Sequence, residues 1–193
     1  MGWTSYHVDG EIDRKAECDA YFEKGLNEGH FKVVKSVLIG SVYYAAVQNL
    51  TKAIKIEDKV IYIPTDKKRI FGVVILTRVI RKEYYNFSYK VMDESMGPCY
   101  YDCPKYILDC LTETEYEYAI NWRNKCREHT KKKNQLNSLK PGSIIKAIPK
   151  NGYTEKESIL LKKYEHSKGN FWSDGKYRWR SSMIDSYEII KKG

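Results

Sequence analysis

The chain contains no apolar run approaching the roughly 18 residues that a membrane-spanning helix requires. Its N-terminus, Met1-Gly2-Trp3-Thr4-Ser5-Tyr6-His7, has no basic segment followed by an apolar stretch, so no secretory signal is expected. Tyr6 occupies the place where a myristoylation pattern needs Ser or Thr. A Gly-rich phosphate loop, a serine nucleophile elbow and a paired-His metal helix are all missing, which removes the commonest sequence routes to a named reaction. Internal repeats and low-complexity tracts are absent as well. Cysteine is sparse and odd in number, at 5. That count fits a reducing cytoplasm better than a disulfide scaffold. Phenylalanine is scarce too, with 5 Phe against 17 Tyr. A phenol joins an apolar ring to a hydrogen-bonding tip, so this bias suits half-exposed sheet faces and contact surfaces, or a core lying close to the surface.

What the chain does have is an uneven charge. Residues 1–121 hold 16 Lys+Arg against 18 Asp+Glu, a net of −2, while residues 122–193 hold 18 against 7, a net of +11. The basic excess of +9 therefore lies entirely toward the C-terminus. Such a patch attracts polyanions or an acidic protein partner through its summed field. Hydrophobic residues make up 42% of the 193 residues, enough for one large domain or two small ones with real cores.

Patterning predicts an α+β organisation. Asp13 caps a helix over 12–27, with Ala16, Ala20, Tyr21, Phe22 and Leu26 as its apolar stripe and Gly29 as its stop. Residues 32–39 and 41–48 flank Gly40 as a tight strand pair, and 59–63 ends at Pro64. The β-branched run 70–80 predicts a central strand, and 84–92 a further one. Pro104 opens a short helix through Leu111. Thr112 and Glu115 form a capping-box pattern at the start of a helix to about Lys133. Residues 134–142 read as a linker. Beyond it, short runs at 143–148, 157–166, 170–173, 176–180 and 187–191 are separated by turn residues such as Asn151-Gly152 and Lys168-Gly169. They predict a small SH3-like β-barrel, with a helical turn at 182–185. The expected domains are 1–137, an antiparallel sheet with flanking helices, and 138–193, the basic barrel.

Four constellations could carry chemistry. Phe171, Trp172, Tyr177 and Trp179 interleave with Lys176, Arg178 and Arg180. Strict alternation along 176–180 puts Tyr177 and Trp179 on one face and the three cations on the other, about 6.6 Å apart. The aromatics then form core, and the cations form a row of phosphate or carboxylate contacts. Arg123, Lys125, Arg127, Lys131, Lys132 and Lys133 extend the basic set along the preceding helix, where cations also complement the helix C-terminus. Cys99, Cys103, Cys126 and His129 could be assembled as four zinc ligands, although the usual two-residue knuckle spacing is absent and buried free cysteine is common in cores. Asp93 and Glu94 sit beside Ser95 at a strand-to-loop transition, where adjacent carboxylates serve as acid and base only if the chain turns there. His7, with His30, supplies a proton shuttle near neutral pH, or simply packs at the surface.

Several stretches together resemble a known group: Met1-Gly2-Trp3-Thr4-Ser5-Tyr6-His7, Asp13-Arg14-Lys15-Ala16-Glu17-Cys18-Asp19, Gly40-Ser41-Val42-Tyr43-Tyr44-Ala45-Ala46-Val47, and Tyr84-Tyr85-Asn86-Phe87 running to Asp93-Glu94-Ser95-Met96-Gly97-Pro98. They are similar to an uncharacterised protein family encoded on plasmids, conjugative elements and phages of Gram-positive bacteria. The likeness covers most of residues 1–130, and more loosely the C-terminal module. The insertion that follows the His in that family is shortened here to Val8-Asp9-Gly10. The family carries no assigned catalytic residues. Its genomic company implies a protein that disarms host defence, an anti-CRISPR or anti-restriction protein.

The expectation is a non-enzymatic inhibitor in the bacterial cytoplasm that needs no cofactor and no membrane. It would bind a nucleic acid, or a nucleoprotein such as an RNA-guided nuclease, through its basic C-terminal surface. The alternative is an enzyme modifying nucleic acid or a defence nuclease, with His7, Asp93 and Glu94 in the N-terminal domain as its catalytic candidates.

Overall fold

The computed structural model describes residues 2–8, 10–81, 85–150, 152–154, 157–167 and 169–193. Met1, Asp9, Tyr84, Asn151 and Lys168, which figured in the motifs and turns above, lie outside the described residues. The chain is α+β, built mostly of strands in antiparallel sheets. It divides into two compact units, Met1–His129 and Thr130–Gly193.

In the first unit, β1 (Thr4–Val8), β2 (Phe31–Ile39), β3 (Val42–Asn49), β6 (Ile70–Arg81) and β7 (Tyr85–Asp93) form one sheet in the order β1-β7-β6-β3-β2. The apolar run at 70–80 takes the middle place, as its β-branching predicts. Tyr43, Tyr44, Ala45, Ala46 and Val47 are all buried, because β3 is covered on both faces. Tyr43, Ala45 and Val47 pack with Cys18 and Phe22 of helix α1 (Arg14–Glu23). Tyr44 and Ala46 pack with Ile107 and Leu108 of α2 (Lys105–Leu108) and with Trp122 and Cys126 of α3 (Glu117–Ser138). Asp13 caps α1, its carboxylate accepting from the N–H groups of Lys15 (2.9 Å) and Ala16 (3.1 Å).

Two expectations fail, one in this unit and one in the next. Thr112 does not open a capping box. Its hydroxyl accepts from Ile70 N–H (3.2 Å) and donates to Ile70 C=O (3.1 Å), and α3 starts five residues later at Glu117. The linker at 134–142 is helical as far as Ser138. Two strands lay outside the sequence pattern: β1, and β4 (Thr51–Ile56), which pairs with β5 (Lys59–Pro64) as a separate two-stranded ribbon.

In the second unit, β8 (Ile144–Pro149), β9 (Ile159–Tyr164), β10 (Phe171–Ser173), β11 (Arg178–Trp179) and β12 (Ile184–Lys191) form a sheet in the order β11-β10-β9-β8-β12. Among the described residues β11 and β12 are its two edges, and no pairing closes it into a barrel. Its inner face carries Ile145, Ala147, Leu161, Trp172 and Trp179, and these pack with Leu136 and Leu139. The last turns of α3 therefore belong to this unit rather than to the preceding one.

Candidate nucleic-acid interface

The division into units sharpens the charge asymmetry. Residues 1–129 hold 19 Lys+Arg and 19 Asp+Glu, whereas residues 130–193 hold 15 and 6. The whole net charge of +9 thus falls on the second unit.

The outer face of that unit's sheet is built by strand alternation. In β9, Ile159, Leu161 and Lys163 turn inward while Leu160, Lys162 and Tyr164 are exposed. In β8, Lys146 and Ile148 are exposed between buried neighbours. Phe171 and Ser173 of β10 flank the buried Trp172, and Arg178 of β11 precedes the buried Trp179. Register then aligns Arg178, Ser173, Lys162, Ile144 and Lys191 across the five strands. Three cations share one line, with alternate strands about 9.6 Å apart. Beside this line, Phe171 lies opposite Tyr164, with ring planes within 18° and centroids 5.6 Å apart. The Arg178 guanidinium sits 4.3 Å over the Phe171 ring, and the Lys162 ammonium 5.5 Å over Tyr164. Guanidinium, ring, ring and ammonium form one exposed cluster of aromatic planes and fixed positive charge.

This arrangement differs from the one expected along 176–180. Only Arg178 and Trp179 are strand. Tyr177 is 58% exposed and not core, because it belongs to a turn in which the Asp174 carboxylate accepts from the N–H groups of Lys176 (2.9 Å) and Tyr177 (2.7 Å). Those N–H groups hold the Asp174 carboxyl below its usual range, Tyr177 contributing most. Lys176 lies 5.1 Å over the Tyr177 ring and off the sheet. Arg180 precedes the helical turn Ser181–Met183 and lines a cavity of about 410 Å³ together with Trp172, Trp179 and Lys163. The interface residues missed from sequence are Lys146, Lys162, Tyr164 and Lys191. The run Ile159-Leu160-Leu161-Lys162-Lys163-Tyr164 hides its alternation, because Leu160 points out and Lys163 points in.

Lys163 has a structural role. Only 5% exposed, its ammonium donates to the carbonyls of Leu136 (3.1 Å), Asn137 (2.8 Å) and Leu139 (2.6 Å). It thereby satisfies C=O groups left open at the end of α3. Burial lowers its pKa.

Of the helical cations, Lys131, Lys132 and Lys133 are exposed in the second unit. Lys125 and Arg127 are exposed in the first, with Lys125 5.6 Å over the Tyr101 ring and Arg127 donating to Asn124 (3.3 Å). Arg123, expected among the exposed contacts, is instead buried at 7% exposure and offers nothing to a phosphate. Its Nε and Nη2 donate to Glu94 Oε2 and Oε1, both at 2.7 Å, and its Nη1 donates to Thr112 C=O at 2.6 Å. Arg69 Nη2 adds a third contact to Glu94 at 3.0 Å. Gly72 makes room for this cluster, since a Cβ there would lie 2.5 Å from the Trp122 ring and 3.2 Å from Glu94.

The catalytic candidates are likewise not brought together. Glu94 is 1% exposed and held by arginines, whereas Asp93 turns to accept from Ser95 N–H (2.8 Å) and from its hydroxyl. His7 is exposed on β1 opposite Asn86, seven residues along β7 from Asp93, or about 23 Å. The four zinc candidates do not assemble either. Cys103 and Cys126 are buried core thiols and Cys99 is exposed, while His129 Nδ1 lies 3.4 Å from Asp102. No cluster of three or more potential metal ligands occurs among the described residues. Burial pushes the Cys126 thiol up to about 12, and the Cys103 thiol up as well. No helix among the described residues is long and apolar enough to cross a membrane.

Comparison with known proteins gives no match to any family model, curated protein or solved structure.

Proposed function

We propose that this protein is a non-enzymatic anti-defence inhibitor of a mobile element or phage, acting in the bacterial cytoplasm. Its target is a nucleic acid, or the nucleic-acid strand of an RNA-guided nuclease complex, which it engages through the second unit. The observation that carries this reading is the cluster of Arg178, Phe171, Tyr164 and Lys162 on an exposed sheet face. Sequence-tolerant binding of single strands combines a positive surface along the backbone with rings on which bases stack. Bases also stack on guanidinium planes, so Arg178 serves in both capacities. The anti-CRISPR context comes from the family resemblance alone. We read the five strands of the second unit as an SH3-like barrel left open between β11 and β12.

Fluorescence anisotropy of short single-stranded RNA and DNA, against duplex, tests the reading at two ionic strengths. Affinity should fall with salt at a slope near −0.7 per neutralised phosphate on single strands. Lys162→Glu and Arg178→Glu should each weaken binding and flatten that slope, and Tyr164→Ala should cost about 1–3 kcal/mol. Salt-independent binding, or no binding even at low salt, would overturn the interface. A nuclease-cleavage assay with and without the protein then tests inhibition.

A further inference from the structure

The cavity beside Trp172 and Trp179 gathers polar groups that the packing of the second unit leaves unused. Its volume of about 410 Å³ falls within the range of small-molecule sites, about 300–1,000 Å³. Trp172 lies opposite Trp179 in the register of β10 and β11, and both indoles line the cavity. Asn137 of α3 and Asn170, just before β10, add two carboxamides, each with donors and an acceptor.

The charge of the lining has one sign. Lys163 and Arg180 are its charged residues, and among the described residues no carboxylate lines it. Asp174, in the turn between β10 and β11, lies outside the lining and is taken up by the N–H groups of Lys176 and Tyr177. The Lys163 ammonium is satisfied by three carbonyls, so its charge is hydrogen-bonded but not cancelled. Arg180 is exposed, and no carboxylate among the described residues pairs with its guanidinium. The unit around it carries the whole net charge of +9. Uncancelled positive charge selects an anion. A guanidinium takes a phosphate through two parallel N–H bonds. Indole walls suit a flat aromatic group, and carboxamides match the donor and acceptor edge of a base.

We infer that this cavity binds one nucleoside monophosphate unit, its phosphate on Arg180 and its base toward the tryptophans. Two sources share that chemistry, a free nucleotide and the phosphate-bearing end of a nucleic-acid strand. Phe171 favours the strand end. The ring that stacks on Tyr164 and lies 4.3 Å under the Arg178 guanidinium also lines the cavity, so a strand crossing the sheet face reaches it directly. The strand-end source rests on the interface proposed above, whereas the phosphate site rests on the cavity alone.

Fluorescence titration of the full chain with UMP reads the cavity, since two of the four tryptophans line it. Uridine and inorganic phosphate are the controls, and circular dichroism checks folding. UMP should change the emission at concentrations where uridine does not. Arg180→Ala should weaken UMP by about tenfold or more. Tyr164→Ala, on the sheet face, should weaken oligonucleotides and leave UMP unchanged. Internally labelled oligonucleotides with a 5′-phosphate, a 3′-phosphate or neither then separate the sources. A strand end in the cavity makes one phosphorylated form bind about tenfold more tightly than the hydroxyl form, and Arg180→Ala removes that advantage. UMP binding without oligonucleotide binding would sink the interface and assign the cavity to a free nucleotide. Failure of UMP to bind, with oligonucleotides whose affinity ignores their end phosphates, would overturn the cavity and leave the interface standing. No binding of either would overturn both.

Discussion

The two units solve the burial of charge in opposite ways. In the first, a buried carboxylate, Glu94, gathers two arginines, Arg69 and Arg123, behind the Trp122 ring. In the second, a buried ammonium, Lys163, has no carboxylate at all and rests on three carbonyls at a helix end. The first solution consumes cations that would otherwise be available to a ligand. The second draws on none of that unit's 6 carboxylates, and Lys162 beside it stays exposed on the outer face. Composition sets the net charges, zero in one unit and +9 in the other, and the folds decide which of those charges reach solvent. A basic residue counted in sequence is not yet a basic residue on a surface.

Breaking the first solution should have the largest effect. Glu94→Ala leaves two guanidinium groups facing each other without a counter-charge, and should destabilise the first unit by about 3–5 kcal/mol in chemical denaturation. An equal loss of protection in the second unit, followed by hydrogen exchange, would contradict the separation of the two. Alkali should divide the units next. Burial raises Cys18 to about 12 from 9.0, and raises Cys103, Tyr6, Tyr43 and Tyr44 as well, all in the first unit. Groups that hold their protons more tightly when folded stabilise the fold fully below their unfolded pKa and lose that contribution as pH rises through the folded value. Exchange protection of the first unit should therefore decline above about pH 9, ahead of the second, where Tyr187 is raised but Lys163 is lowered and works in the opposite sense. Simultaneous loss in both units would refute this. Lys163→Met is the smallest change. It leaves three helix-end carbonyls without their donor and should cost the second unit about 1–3 kcal/mol, with the first unit's exchange unaltered.

Much of the fold was legible in the sequence. The pairing around Gly40, the central strand at 70–80 and the Asp13 cap rest on local periodicity and turn chemistry, which nearby residues fix by themselves. The interface was legible in part. Arg178 was visible as a cation in an alternating run, but Lys162 and Tyr164 join it only through the pairing of β9 with β10, a relation between distant stretches. Arg123 was misread because its position on a helix among other cations says nothing of Glu94, which is 29 residues earlier in the chain. The ribbon β4–β5 was half seen. Thr51–Ile56 carries two lysines in six residues and lacks the apolar continuity by which β3 and β6 announce themselves.

By itself the sequence determined the strand-rich α+β class, the Asp13-capped helix and the turn at Gly40, and the placement of basic excess toward the C-terminus. All of these follow from short-range sterics, alternation and simple counting. Only the tertiary structure decided which cations are consumed inside and which reach solvent, and which rings meet across strands. Those outcomes depend on contacts between residues far apart in the chain, where the cost of burying a charge is met by whichever partner the fold brings to it.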